Sequence, residues 1–214
     1  MLTLYGVYRS RASRPLWVLF ETGTPFTHVP VIQAYRLPDP KAADAPLHTA
    51  TPDFLKVNPQ GQIPAMTDGD LTLTESLGIA TYIARRYGGP IGPQSDAESA
   101  LIDQWMLFAA TAIETPALEI LQAPQGAMGE GITAVAAEKL RRPLARLNAH
   151  LSGRDWLLGD RFTVADITVA ECTRYAQGHP RLIAEFPEVD RWIKAAQARP
   201  AFQKMWAGRM AEPA

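Results

Sequence analysis

The sequence has only one cysteine, Cys172, so no disulfide can form within the chain. This excludes a disulfide-stabilised secreted scaffold and is typical of a protein that works in a reducing cytoplasm. No uncharged apolar run reaches about 18 residues, and the first residues lack the basic-then-apolar order of a signal peptide, so we expect no membrane segment. The four histidines lie far apart in the sequence, which predicts no metal site.

A surplus of either charge is also lacking, because 21 Lys and Arg residues stand against 22 Asp and Glu residues and leave a formal net charge of -1. Proteins that bind nucleic acids or membrane surfaces need a surplus of positive charge, so neither partner is expected. The composition is that of an ordinary globular protein, with 47% hydrophobic and 20% charged residues. The 214 residues are enough for one large domain or two small ones.

Short apolar runs and helical patterns alternate along the first 87 residues. Runs typical of β-strands lie at Leu2–Tyr5, His28–Ile32, Ile63–Met66 and Leu71–Leu73. A helical stretch at Pro15–Glu21 separates the first two runs and predicts a βαβ unit with parallel strands. The Asp68–Asp70 segment predicts a hairpin turn, and a further helix is expected from Thr74 to a stop at Gly88. The segment 33–53 predicts an irregular loop with at most a short helix.

From residue 96 onward the pattern is helical. Apolar periodicity predicts helices in the ranges 101–121 (with a turn inside), 132–152, 187–197 and 199–206. Pro143 predicts a kink in the second of these helices. Thr163 and Asp166 have the spacing of a capping box and predict one more helix start. We interpret Cys172, within that helix, as a small buried hydrophobe.

The predicted fold class is an α/β domain over residues 1–87, a linker over 88–95 and an all-α domain over 96–214. Composition and periodicity lead to this architecture without naming a ligand. The residues that carry chemistry lie in three short stretches of the first domain.

The first stretch contains Ile63 and Pro64, at the beginning of a predicted strand. A proline there marks an edge position or a cis bond in a tight turn. With a cis bond, the N–H and C=O of Ile63 would turn outward and pair with an extended peptide-like ligand, as one more strand does. The alternative is an edge proline that only limits strand pairing with other chains.

The second stretch is Thr74–Ser76, at the start of a predicted helix. Amides in a first helical turn lack internal partners and attract anions, so the amide and hydroxyl of Ser76 suit a ligand carboxylate. Glu75 beside them suits an ammonium group, and the two sites together fit the free end of an amino acid. The alternative is simple capping, because Ser and Glu favour first turns.

The third stretch is Tyr8–Pro15, the loop between the first strand and the first helix. Ser13 is placed to cap that helix, which leaves the Ser10 hydroxyl free in the loop. A hydroxyl and loop amides near a helix N-terminus favour a negatively charged sulfur, and Arg9 or Arg11 would add charge stabilisation. The alternative is a solvated loop hydroxyl.

These stretches, with the strings NPQGQIPAM, LTESLGIATYIA and FTVADITVAE, resemble the cytosolic glutathione transferase superfamily along nearly the whole chain. The resemblance implies a thioredoxin-like N-terminal domain that binds glutathione as co-substrate. It also implies an all-helical C-terminal domain that forms the pocket for a small hydrophobic electrophile, and a cytoplasmic homodimer.

Residue by residue, the resemblance implies that Ile63 and cis-Pro64 bind the cysteinyl backbone of glutathione. Glu75 and Ser76 would bind its γ-glutamyl end. Gln62 stands where many members have lysine, so the glycine carboxylate would be held by a neutral donor or from the 33–53 loop. The candidates for that role are Gln62, His48 and Gln60.

Ser10 falls where serine-type members keep the hydroxyl that activates the thiol and where beta-type bacterial members keep a cysteine. The resemblance therefore implies a serine-type catalytic loop in a broadly bacterial-type chain, with Arg11 beside it. Because no cysteine stands at or near position 10, thiol–disulfide exchange is disfavoured. Tyr5 ends the first strand, near where tyrosine-type members place their hydroxyl, and remains a rival activating group.

The leading prediction is a glutathione transferase that holds glutathione as thiolate through Ser10. The side chains that would line its electrophile pocket, or else belong to the core, are Trp105, Met106, Phe108 and Ile113. One alternative is a non-catalytic binding or regulatory protein with the same fold, and another is a glutathione-dependent isomerase, dehalogenase or peroxidase. A third is a serine hydrolase, because Ser76, Asp166 and His179 follow in hydrolase chain order.

Overall fold

In the computed structural model, which describes residues 1–212, the chain forms two compact units. Among the described residues, one unit contains Met1–Gly89 and residues 200–212, and the other contains Pro90–Arg199. The first is built on a β-sheet and the second is helical, which confirms the predicted fold class. The final helix, which the predicted ranges assign to the helical domain, packs within the first unit.

The sheet of the first unit has four strands in the order β2-β1-β3-β4. Their bounds are Leu2–Tyr5 (β1), Thr27–Val29 (β2), Ala65–Asp68 (β3) and Leu71–Thr74 (β4). β1 and β2 are parallel and β3 and β4 form an antiparallel hairpin, as predicted. The predicted bounds of the second and third strands were wrong at both ends. β2 stops before Pro30 and β3 starts after Pro64, because a proline has no N–H to donate to a ladder.

Four α-helices accompany this sheet within the described residues: α1 (Ser13–Thr22), α2 (Pro52–Val57), α3 (Ser76–Tyr87) and α10 (Pro200–Ala211). α1 packs against both α3 and α10. Trp17 of α1 is fully buried, and its ring meets that of Phe202 edge-on with the ring centroids 4.8 Å apart. The segment 33–53 is irregular apart from a short turn of 3₁₀-helix at Ala34–Arg36, as predicted, whereas α2 was missed. This packing places the β1–α1 loop beside the end of α10.

The helical unit contains α4 (Asp96–Phe108), α5 (Glu114–Gln122), α6 (Ala127–Leu151), α7 (Val164–Thr173), α8 (Pro180–Ala184) and α9 (Pro187–Gln197). A π-helical turn, Ala109–Ile113, joins α4 to α5 at the position of the predicted interruption. The predicted start of α6 at residue 132 was wrong, because the helix begins directly after Gly126, whose φ is 87°. α9 has the predicted bounds, and the five-residue α8 was missed.

Asp166 forms the predicted capping box with Thr163 at the start of α7. Its fully buried carboxylate also accepts from the Leu157 N–H and from Trp192 Nε1, both at 2.9 Å. Burial raises the pKa of Asp166 to about 6, although its hydrogen bonds favour the ionised form. Cys172 is buried as predicted. Within residues 1–212, no helix has the length and apolar character needed to cross a bilayer.

Candidate functional site

Two of the three stretches singled out in the sequence, the β1–α1 loop and the Ile63–Pro64 turn, meet at Gly6, which follows β1. Gly6 has a φ of 141°, and a Cβ there would lie 3.0 Å from the Cβ of Ala12 and 3.5 Å from the Cβ of Ile63. A side chain would therefore strain the backbone and crowd Ala12, while it would make an ordinary van der Waals contact with Ile63. Glycine at this position lets the β1–α1 loop approach the Ile63–Pro64 turn closely.

The Ile63–Pro64 peptide bond is cis, as the family resemblance implies. Ile63 is partly exposed, and among the described residues neither its N–H nor its C=O has a hydrogen-bond partner. The backbone of Ile63 is thus available for pairing with an added extended segment.

Asn58 organises the turn that leads into Ile63, a role that sequence reasoning missed. It is buried, its Nδ2 donates to the Gln62 carbonyl at 2.7 Å, and its Oδ1 accepts from the Gln60 N–H at 3.1 Å. Gly61 adopts a φ of 60°, and a Cβ there would lie 2.9 Å from the Thr49 carbonyl oxygen. The sequence signal for such a turn is an asparagine at the start of a glycine-containing loop, because its side chain accepts a hydrogen bond from the backbone N–H two residues on.

The hydroxyl of Ser10 is engaged within its own loop, so the prediction that it is free was wrong. Ser10 Oγ donates to the Val7 carbonyl at 2.6 Å and accepts from the Ala12 N–H at 3.0 Å. The prediction of Ser13 as helix cap was also wrong, because α1 begins at Ser13 itself and Ser13 is buried. The Ser10 hydroxyl, accepting from the amide two residues on, closes the turn that leads into the helix.

Ser76 is the first residue of α3 and is buried. Its Oγ accepts from Arg14 Nη1 at 2.9 Å, and Arg14 is only 1% exposed. A buried guanidinium beside the start of a helix adds positive charge where an anion is already favoured. Sequence reasoning missed Arg14, because its partner Ser76 lies 62 positions further along the chain.

Glu75, immediately before α3, is the only non-glycine residue with positive φ among the described residues, with φ 68° and ψ 107°. Its side chain is exposed and makes no hydrogen bond or ion pair within residues 1–212. A strained backbone that holds an unpartnered carboxylate outward is typical of a binding residue.

A cavity of about 320 Å³, lined mostly by apolar side chains, lies within the first unit. Its lining residues are Val7, Pro30, Ile32, Arg36, Pro46, Leu47 and Glu212. Because the Val7 carbonyl accepts from Ser10 Oγ, the cavity adjoins the Ser10 loop. The sequence did not indicate this cavity, since its walls come from three distant segments.

The remaining candidates in the first unit are Tyr5, Arg11, Gln62 and His48. Tyr5 is half-buried in β1 and packs against Phe54, with ring centroids 6.3 Å apart. Arg11 and Gln62 are exposed. Both ring nitrogens of His48 are engaged, Nδ1 by the Ala50 N–H and Nε2 by the Pro40 carbonyl, so His48 holds its loop together.

Four candidates in the helical unit have structural roles, whereas Met106 and Phe108 are partly exposed. Trp105 and Ile113 are buried, and the Trp105 ring packs on His150 with centroids 4.5 Å apart. Asp166 is occupied by its capping box, and His179 Nδ1 accepts from the Leu182 N–H at the start of α8. These roles, together with the engagement of the Ser76 hydroxyl by Arg14, contradict the serine-hydrolase alternative.

Two family models match the chain. The glutathione S-transferase N-terminal domain matches residues 1–85, and the glutathione S-transferase C-terminal domain matches residues 113–200.

Individual relatives agree with the family models. Glutathione S-transferase 3 of Zea mays is 35% identical over 219 residues, which cover 95% of this chain and 92% of that protein. Elongation factor 1-gamma 2 of Oryza sativa subsp. japonica is 38% identical over 168 residues, which cover 72% of this chain but only 38% of that protein. A glutathione transferase from Burkholderia graminis, solved with two glutathione molecules bound per subunit, has a TM-score of 0.81 at 28% identity, and the alignment covers 99% of this chain and 89% of that one.

Proposed function

Because the chain belongs to the glutathione S-transferase family, we propose that it binds glutathione in its first unit and ionises the thiol for attack on a small hydrophobic electrophile. The observation that carries this proposal is the convergence at Gly6 of the Ser10 loop with the Ile63–Pro64 turn. A relative solved with bound glutathione over nearly the same length supports it.

Glutathione would lie along the edge formed by the Ile63 turn and the start of α3. The unpaired N–H and C=O of Ile63 would take the cysteinyl backbone, as an added strand does. The γ-glutamyl ammonium would pair with Glu75. The γ-glutamyl carboxylate would accept hydrogen bonds from the Ser76 amide and hydroxyl. The hydroxyl can donate because, in its bond with Arg14, the Ser76 oxygen is the acceptor and its proton stays free. The exposed Gln62 amide would donate to the glycine carboxylate.

Ser10 would stabilise the thiolate as a hydrogen-bond donor without being covalently modified. To do so, its proton must turn from the Val7 carbonyl to the sulfur, and a charged acceptor is the stronger of the two. Lowering a thiol pKa from about 8.5 to about 7 requires roughly 2 kcal/mol, which one or two such bonds near a helix N-terminus supply. The positive charge of Arg11 would add to this, and Tyr5 is the rival donor.

The apolar cavity beside Val7 would hold the hydrophobic part of the electrophile. The sulfur would then attack the electrophilic carbon, forming the S–C bond as the leaving group departs with its bonding electrons. Isomerisation, dehalogenation and peroxide reduction start from the same thiolate and remain alternatives at this site.

The test is a pH titration of the thiolate absorbance of bound glutathione in the wild type and three variants. We expect Ser10→Ala to raise the thiol pKa by about 1 to 2 units, the value of one charge-assisted hydrogen bond. Tyr5→Phe should leave it unchanged, as should the control Ser95→Ala, which removes the helix cap of α4. If Tyr5→Phe abolishes the thiolate while Ser10→Ala keeps it, the activating group has been misassigned.

A second candidate function is a non-catalytic glutathione-transferase-like protein that binds or regulates. The 38% identity to an elongation factor 1-gamma over 168 residues favours it. Retention on immobilised glutathione with no turnover of a panel of electrophiles would support this candidate. Turnover that depends on Ser10 would exclude it.

We also propose a cytoplasmic homodimer. The single cysteine suits a reducing compartment, and α4 exposes the apolar side chains of Leu101 and Leu107, which a second copy would cover. Sedimentation equilibrium measures the assembly state directly.

A further inference from the structure

The end of α10 is fastened to the loop that carries Ser10. The Glu212 carboxylate, just past the helix, accepts from the Tyr8 N–H at 2.7 Å through Oε1 and from the Arg9 N–H at 2.8 Å through Oε2. Bonds of this length to an ionised acceptor are among the stronger hydrogen bonds in proteins. One side chain thus fixes two consecutive amides of the loop.

Further contacts bring the same two segments together. Arg209 Nη1 donates to the Tyr8 carbonyl at 2.9 Å, and Arg9 Nε donates to the Arg209 carbonyl at 3.1 Å. Gly208 lies under the Tyr8 ring, where a Cβ would be 2.7 Å from two ring carbons. Burial and the charge of Glu212 raise the pKa of Tyr8. Residues 208–212 are therefore shaped to hold residues 8 and 9.

The fastened residues directly precede Ser10 and follow Val7, whose carbonyl accepts from the Ser10 hydroxyl. A shift of the Tyr8–Arg9 backbone would therefore move both Ser10 and the group that now orients its proton. Hydrogen bonds weaken steeply with distance and angle, so such a shift would weaken stabilisation of the thiolate.

We propose that Glu212 is a positioning residue for thiol activation, which acts through the Tyr8 and Arg9 amides on the placement of Ser10. This inference rests on the proposed role of Ser10. It assigns to the last helix of the chain a part in setting the ionisation of glutathione.

A positioning role and a purely electrostatic role of Glu212 predict shifts of the thiol pKa in opposite directions when its carboxylate is removed. A negative charge near the sulfur disfavours a thiolate, so removing the charge of Glu212 would by itself lower the thiol pKa. Loss of the two hydrogen bonds instead loosens the loop and raises the thiol pKa. The direction of the shift therefore distinguishes the two effects.

The experiment compares wild type, Glu212→Ala and Glu212→Asp with Lys204→Met as control. Lys204 lies on the same helix but is exposed, with Nζ 4.5 Å from the centre of the Phe20 ring. The thiol pKa of bound glutathione is titrated by thiolate absorbance, and kcat/KM and the KM for glutathione are measured with one electrophile. Thermal unfolding of each variant checks that it is folded.

We expect Glu212→Ala to raise the thiol pKa by about 0.5 to 1 unit. At a pH below the thiol pKa the smaller thiolate fraction lowers kcat/KM by about three- to tenfold. Because Glu212 also lines the cavity proposed for the electrophile, the thiol pKa, titrated without electrophile, is the deciding measurement. The KM for glutathione should change little, since Ile63, Glu75 and Ser76 are untouched. Glu212→Asp should restore part of the shift, and Lys204→Met should behave as wild type.

An unchanged or lowered thiol pKa in folded Glu212→Ala, with a wild type that shows a clear thiolate, overturns the positioning role alone. A wild type that binds glutathione without any thiolate signal overturns the proposed function as well.

Discussion

Replacing Glu75 separates a binding role from a role in folding, because the two make opposite demands on this position. The backbone conformation of Glu75 costs roughly 1 to 2 kcal/mol for a residue with a Cβ. Glycine relieves this strain but adds about 0.5 to 1 kcal/mol of entropy in the unfolded chain. Since the Glu75 side chain has no hydrogen bond or ion pair within residues 1–212, Glu75→Gly loses neither kind of interaction. We expect Glu75→Gly to stabilise the fold by about 0.5 to 1 kcal/mol.

The same change should weaken glutathione binding. A hydrogen bond to a charged group contributes about 1.5 to 3 kcal/mol, and exposure of Glu75 favours the lower end. The Kd for glutathione should therefore rise about 10- to 30-fold. Glu75→Ala keeps the strain and loses the carboxylate, so it should bind equally weakly without becoming more stable.

Urea unfolding without ligand and calorimetric titration with glutathione measure the two effects. Glu130→Gln, a change of an exposed acid on α6, is the control and should alter neither by more than a few tenths of a kcal/mol. If Glu75→Gly binds glutathione as tightly as wild type, the carboxylate is not the partner of the ammonium group. If it is less stable than Glu75→Ala, the assignment of strain is wrong.

Two further predictions concern stability. Because the pKa of Asp166 is about 6 in the folded state and about 4 when unfolded, the folded protein retains a proton that the unfolded chain releases. The free energy of unfolding of wild type should therefore rise relative to that of Asp166→Asn by up to about 3 kcal/mol as the pH falls from about 7 to about 4, with no rise above pH 7. A constant difference between their urea midpoints across this range would contradict the raised pKa of Asp166. Gly61→Ala should cost about 1 to 2 kcal/mol more than Gly69→Ala, since both have φ near 60° but only the first meets a backbone oxygen, that of Thr49. Equal urea midpoints for the two alanine variants would show that the loop around Gly61 moves to accommodate the added methyl group without this cost.

Features set by neighbouring residues could be predicted from the sequence. The capping box of Thr163 and Asp166 and the hairpin at Gly69 each depend on a few adjacent residues, and each is present. The cis bond before Pro64 is also present, but the adjacent residues left an edge proline as the alternative and the family resemblance implied the cis form. The stop of β2 at Val29 was predictable from Pro30 but was overlooked.

Features that depend on distant segments could not be predicted. Arg14 reads as an ordinary helix residue until α3 brings Ser76 to it. The contacts of Glu212 with Tyr8 and Arg9 span more than 200 positions, with |i−j| of 204 and 203, and no local pattern indicates such a pair.

The burial of Trp17 against Phe202 has a practical consequence for dissecting this chain. A fragment ending at Gly89 would expose an indole that is fully covered in the intact protein, and a freshly uncovered aromatic surface promotes aggregation. A minimal glutathione-binding fragment should therefore keep the closing helical segment, supplied as a separate peptide or spliced on by circular permutation.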